Sequence, residues 1–386
     1  MRLLVLGGGC AGTMIANKMR RKFHKDELEI VVIERSEKHL YQPGYTLLCF
    51  DLVEPEDLIR PTRDQFLDGI NLIFDEALKI DSQNNKVVTK EHGELSYDYL
   101  VIATGATYVY GEPEGAKEAL DKGGDFGMFY TFDGALKMRD AIKNIDGGTI
   151  VSLITDLPIK CPAAPIKFIA MAEDTMRRMG KRDKFRFIIT SPMPKSFSRE
   201  PYASKLSKIF ENRDIEVVAN YVPAEIDHEK KIIKGYDGRE LRYDLCCFTP
   251  SHEGEQVIQE SEGIGDASGY VAADKFKMNS KHAANIFTLG DASDFPTSKT
   301  ASGARKQAAI LSNRLSSLIK GEPMSDKDIY DGEIICPILT RDKRVMFAHF
   351  NYTESISAAQ ESYINWVLKV YMLRGLYWNL MMPGLM

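Results

Sequence analysis

The sequence predicts a doubly wound α/β protein with two parallel-sheet domains and a short C-terminal piece. Three observations carry this. An apolar strand runs straight into a glycine turn and a helix at the N-terminus. A second strand–helix alternation starts at Gly147-Gly148. An apolar tail holding both tryptophans follows the breaker Gly321-Glu322-Pro323.

Taken in order, residues 2–6 form an apolar run without polar alternation, which reads as a buried parallel strand. Glycines follow at once, then a helix from Thr13 to about Arg21. Glu29–Ile33 is a second buried strand ending at Glu34, and residues 97–105 form a strand that enters the turn Ala103-Thr104-Gly105. In the second unit, Thr149–Thr155 and Lys184–Thr190 read as strands, with Ile166–Met179 and Pro201–Asn212 as helices. Ile215–Val222, Ile232–Tyr236 and Tyr243–Pro250 read as strands that complete it. Asn285–Asp291 is a strand ending in Gly290-Asp291, and Ala301–Lys320 is a long helix. The expected division is 1–105 with 266–322 as a discontinuous first domain, 106–265 as the second, and 323–386 as the C-terminal domain.

Composition narrows the function classes. The 386 residues carry a net charge of -5, and nothing marks a nucleic-acid binder. No apolar run reaches the roughly 18 residues that suggest a membrane span. The apolar start at Met1–Leu6 is too short for a signal-peptide core, so no signal peptide is expected. The six cysteines include no zinc-type C-x-x-C pair. In a reducing compartment, structural disulfides are not expected and a cysteine that matters is a redox reagent.

Gly7, Gly9 and Gly12 fit G-x-G-x-x-G. The motif follows a buried strand, opens a helix at Thr13, and has Glu34 at the end of the next strand, which is the context that binds a dinucleotide. The glycines admit a pyrophosphate to the helix N-terminus, and Glu34 accepts from ribose hydroxyls. Ala103-Thr104-Gly105 and Leu289-Gly290-Asp291 resemble the two outer motifs of glutathione-reductase-like flavoproteins. That resemblance implies FAD rather than NAD, with Asp291 on the ribityl chain. It makes the fold class α/β, with two Rossmann-like dinucleotide-binding domains and a C-terminal membrane-associating helical segment. The second glycine loop, which should follow Thr149–Thr155, is missing. Asp156–Pro165 has three prolines, no glycine, and Cys161 in its place. Proline offers no N–H to a phosphate. NADH is therefore not the expected donor.

Further segments resemble the sulfide:quinone oxidoreductase family, particularly the type that includes the mitochondrial enzymes. They are His39–Leu47 (HLYQPGYTL), Lys160–Pro165 (KCPAAP), Gly290-Asp291 through Pro296–Thr300 (PTSKT), Cys336–Thr340 (CPILT) and Tyr377–Met381 (YWNLM). The resemblance implies that Cys161 and Cys336 are the redox pair beside the flavin. Hydrosulfide would attack their disulfide, leaving a persulfide on one sulfur and a thiolate on the other, and the electrons would pass through non-covalent FAD to a quinone. A bridging sulfur between the two cysteines is open. Gln42, Ala77, Ser298, Lys299 and Thr300 join Thr13, Thr104, Gly105 and Asp291 as expected cofactor contacts. Lys299 would stabilise the anionic reduced flavin. His39 is a candidate proton handler, and Phe347 and Phe350 are candidate walls of a quinone pocket. Cys49, Cys246 and Cys247 read as core, and Cys10 as a small residue of the phosphate loop.

The tail Ser362–Met386 carries both tryptophans, with Lys369 and Arg374 as its only charges. Gly375 is expected to split it into two short helices lying in the membrane interface, a peripheral anchor that admits quinone. The expected partners are sulfide, a membrane quinone and the membrane surface, with homo-oligomerisation open. The competing readings are a type II NADH:quinone dehydrogenase-like flavoprotein, which needs the missing loop, and a flavin-binding protein without turnover, which needs neither Cys161 nor Cys336.

Overall fold

The computed structural model describes residues 1–326 and 328–386. Two five-stranded parallel sheets dominate it. The first runs Ile286–Thr288, Tyr99–Ile102, Arg2–Leu6, Glu29–Glu34, Ile70–Phe74 across its width. The second repeats the same order with Phe126–Gly127, Leu245–Thr249, Gly148–Ile154, Phe185–Ser191 and Ile215–Ala219. The central strands, Arg2–Leu6 and Gly148–Ile154, are covered on both faces, which is why each reads as an apolar run. Leu3, Leu4 and Val5 are fully buried, as are Ile150, Val151 and Leu153. The turns after these central strands are the places where an open α/β sheet binds ligands.

The helix Cys10–Lys22 starts three residues earlier than the sequence predicts, because it begins inside the glycine turn. It packs against Ala301–Lys320 under the first sheet. A two-stranded antiparallel link, Ala106–Val109 with Ser251–Gly254, joins the units. Small antiparallel pieces between Lys38 and Ser96, and the strand Pro223–Asp227, were not anticipated; they are short and half exposed, so their periodicity is weak.

The C-terminal piece departs most from expectation. It opens with an antiparallel hairpin, Ile334–Arg341 with Arg344–Phe350. Beyond it, Tyr363–Val367, Leu368–Met372, Leu373–Leu376 and Tyr377–Met381 follow without interruption, as one helical rod with two wider, π-type stretches. Gly375 therefore does not divide it. Among the described residues no helix is long and apolar enough to cross a membrane. Trp366, Trp378 and Lys369 are buried against the protein rather than set at an interface. The outward face is Tyr363, Ile364, Tyr371 and Met372, each about half exposed or more.

Candidate active site

The glycine turn is built for close approach. A Cβ on Gly12 would stand 1.8 Å from the Gly7 carbonyl oxygen, and one on Gly7, at φ +99°, 2.5 Å from the Ala103 carbonyl. Gly9 differs: a Cβ there would meet nothing within 4 Å, so the loop is open on that side. The helix beginning at Cys10 has no side-chain cap and no acidic residue in its first turn, which leaves its N–H groups for an anion. Glu34 accepts from the Gly8 N–H at 2.6 Å and the Ser36 N–H at 2.8 Å, and Thr13 Oγ1 donates to the Gly8 carbonyl. Both residues brace the loop. Ala77 opens a strand two residues beyond Asp75, whose N–H bonds the Glu34 carbonyl.

Across the sheet, Gly105 sits at φ +82° and the Thr104 hydroxyl is buried without a partner among the described residues. Gly290 and Asp291 form a short turn, and with Ser298, Lys299 and Thr300 they line one small cavity. Thr300 caps Ala301–Lys320 by accepting from the Gly303 N–H. An open glycine, an uncapped helix start and an orphaned hydroxyl suit an extended dinucleotide. The Lys299 ammonium donates to the Asp291 and Ser293 carbonyls at 2.9 and 2.7 Å and covers the Tyr270 ring. Burial pushes its pKa down to about 8. Its backbone serves the site: the Lys299 carbonyl accepts from the Cys161 N–H at 2.8 Å. Gln42 is exposed on the turn Gln42–Gly44.

Cys161 and Cys336 converge. Cys161 lies at φ +48° just before the helix Ala164–Arg178, and Cys336 on the first strand of the hairpin that packs against that helix. Their sulfurs are 3.8 Å apart and both are free thiols. Lys167, one turn into the helix and buried, places Nζ 3.2 Å from the Cys161 sulfur. The hydrogen bond from Cys336 holds the Cys161 thiol well below its ordinary pKa against the opposing effect of burial, and Lys167 adds to this. Cys336, donating to that thiolate and buried, is pushed well up. In the reduced pair both shifts favour the thiolate at Cys161 and the thiol at Cys336. Lys369 reaches in from the C-terminal rod, donating to the Pro43 carbonyl at 3.0 Å; burial pushes it down to about 7.

Sequence reasoning missed Lys167 and Lys369. Lys160, adjacent to Cys161, turns away to the Tyr108 hydroxyl. The signal for Lys167 was available: Pro165 marks a helix start, and a lysine in the first turn after it can face back toward the loop.

His39 is buried, with Nε2 2.7 Å from the Tyr377 hydroxyl. Burial pushes it down to about 4, which makes it a weak base at neutral pH. Phe350 is buried and packs with Phe197, Tyr202 and Arg199. Phe347 pairs with Pro337, on the face of the hairpin opposite to Cys336. Cys49, Cys246 and Cys247 are buried in the core.

The strand Gly148–Ile154 of the second sheet runs into residues 155–163, where Cys161 occupies the phosphate-loop position and no glycine occurs. Among the described residues no cluster suits a metal ion.

The family model for pyridine nucleotide-disulphide oxidoreductases matches residues 1–145. The mitochondrial sulfide:quinone oxidoreductase of Dictyostelium discoideum is 31% identical over 99% of this chain and 86% of its own length. The chain belongs to the sulfide:quinone oxidoreductase family. The mouse mitochondrial member is 29% identical over the same shares of both chains. The solved sulfide:quinone oxidoreductase of Aquifex aeolicus superposes with a TM-score of 0.85 at 20% identity, covering 100% of this chain and 92% of that one. That likeness is one of fold.

Proposed function

We propose that this protein oxidises sulfide at the Cys161–Cys336 pair and delivers the electron pair, through FAD bound at the first sheet, to a quinone. One observation carries the reading: two cysteines remote in sequence meet at 3.8 Å, with the Lys167 ammonium 3.2 Å from one of them.

The asymmetry of the pair assigns roles. In the oxidised pair, hydrosulfide attacks the Cys336 sulfur. The S–S bond breaks, Cys336 becomes a persulfide, and Cys161 leaves as the thiolate. The better leaving sulfur is the one whose thiolate is stabilised, and Lys167 sits on Cys161. The sulfane sulfur stays on Cys336 until a nucleophile removes it. Once a nucleophile has removed the sulfane sulfur, both cysteines are left reduced, and closing their S–S bond again would release the two electrons that bound FAD accepts.

The glycine-free turn at 155–163 supports sulfide over NADH as the donor. The outward face of the C-terminal rod, Tyr363, Ile364, Tyr371 and Met372, suits a bilayer surface, where the quinone would be met. Anaerobic addition of sulfide to the yellow protein tests the proposal. The flavin absorbance should bleach with sulfide, recover with a soluble quinone, and stay unchanged in Cys161→Ser. Bleaching by NADH and not by sulfide would overturn it.

A further inference from the structure

Beyond the end of the rod at Met381, residues 382–384 grip the phosphate-loop helix. Three consecutive carbonyls of the tail each accept from one side chain of Cys10–Lys22. Met382 takes Asn17 Nδ2 at 2.6 Å, Pro383 takes Arg21 Nε at 2.7 Å, and Gly384 takes Lys18 Nζ at 3.4 Å. Asn17 is fully buried, and its other amide bonds go to Gln65 and Leu67 of the same domain. Gly384 lies at φ +74° with its Cα pressed on the Lys18 backbone, where a Cβ would stand 3.0 Å from the Lys18 nitrogen. Upstream, the Trp378 indole donates to the Asp57 carbonyl, and Arg374 pairs with Asp57.

Tyr377 is the innermost member. It is buried, its ring packs 4.8 Å from Tyr41, and its hydroxyl meets His39 Nε2 at 2.7 Å and stands beside Cys10 in the glycine turn. The His39 ring nitrogen not held by Tyr377 faces the Gly8 backbone carbonyl of the glycine turn, a contact that favours its protonated form against the larger, opposing effect of burial. A tyrosine donating to Nε2 leaves the ring proton on Nδ1, a donor directed at the phosphate loop.

We infer that the tail 377–386 is part of the flavin-retaining apparatus, with Tyr377 a positioning residue that acts through His39 on the phosphate loop. A donor held on the Gly8 carbonyl fixes the turn in which the cofactor's anionic pyrophosphate would sit. The segment then has two roles on two faces. Its outer face meets the surroundings, and its inner face fixes the loop that holds the cofactor. Anything that stabilises the docked rod also tightens flavin binding, by reciprocity of linked equilibria. The inference rests on FAD binding at this loop.

The experiment measures FAD affinity and melting temperature, with and without saturating FAD, in the full chain, in Tyr377→Phe and in a chain ending at Leu376. The Tyr377→Phe protein should bind FAD about 3- to 10-fold more weakly, the effect of one buried hydrogen bond, and its FAD-dependent gain in melting temperature should shrink. The shortened chain should lose flavin on desalting. Tyr236→Phe, at an exposed site of the second domain, should match the wild type. Unchanged affinity in Tyr377→Phe would overturn the inference whether or not the shortened chain folds. So would a melting temperature lowered equally with and without FAD. Failure of the wild-type chain to bind FAD would overturn the cofactor reading together with it.

Discussion

Replacing Lys167 with methionine keeps the length of the side chain and removes its charge from the Cys161 sulfur. At 3.2 Å, two unit charges at an effective dielectric of 20 attract by about 5 kcal/mol. Lys167 is buried, so part of that attraction offsets the cost of desolvating the ammonium. The net should resemble a charge-assisted hydrogen bond, about 1.5–3 kcal/mol. Since about 1.4 kcal/mol is tenfold, the Cys161 ionisation should move about 10- to 100-fold toward the thiol. The assay is iodoacetamide labelling of the reduced protein over a pH series, with Cys161 read by peptide mass spectrometry. The labelling midpoint should move to higher pH in Lys167→Met. It should stay in place in Lys160→Met, because that ammonium is engaged by Tyr108. An unmoved midpoint in Lys167→Met, or equal movement in both variants, would refute the argument that Lys167 makes Cys161 the thiolate.

Gly9→Ala should fold with an unchanged melting temperature of the apoprotein yet fail to retain FAD, because its Cβ meets open space on the side where the pyrophosphate is expected; a flavin-bound variant would count against that placement. His39 falls from an ordinary 6.5 to about 4 in the fold, so between those pH values the unfolded chain binds the extra proton. Stability should be full above pH 6.5 and be lost as pH falls toward 4, by about 3 kcal/mol at most. Urea titrations of the wild type against His39→Gln should show this loss only in the wild type. Ile364→Asp, on the outward face of the C-terminal rod, should reduce co-sedimentation with anionic lipid vesicles several-fold, and undiminished binding would remove that face from the account.

How much was legible in the sequence follows from how local each feature is. The strand, turn and helix around Gly7–Gly12 could be read because all its determinants lie within a few residues. The absence of the second glycine loop was equally local. The meeting of Cys161 with Cys336 was not: no periodicity relates them, and only the resemblance of their flanking segments paired them. Lys369 was taken for an interfacial cation because its neighbours Leu368, Val370 and Tyr371 are apolar; its burial depends on the Gln42–Gly44 turn packing over it. The same error put Trp366 and Trp378 at a membrane surface, while the structure turns them inward and exposes Tyr371 and Met372. Gly375 failed as a breaker because the rod runs through it with its turns widened on either side. Phe347 and Phe350 could be placed only by strand parity: Phe350 shares the buried face of Ala348 and Met346, and Phe347 the opposite one.

The central claim is that hydrosulfide attacks Cys336 and expels Cys161. One measurement tests it directly. The oxidised protein is mixed with one equivalent of sulfide without oxygen or quinone, quenched with an alkylating agent, and the added sulfur is located by peptide mass spectrometry. The account predicts a trapped persulfide on Cys336 and a simple alkyl adduct on Cys161. Extra sulfur confined to Cys161, or flavin bleaching with no extra sulfur on either cysteine, would contradict it.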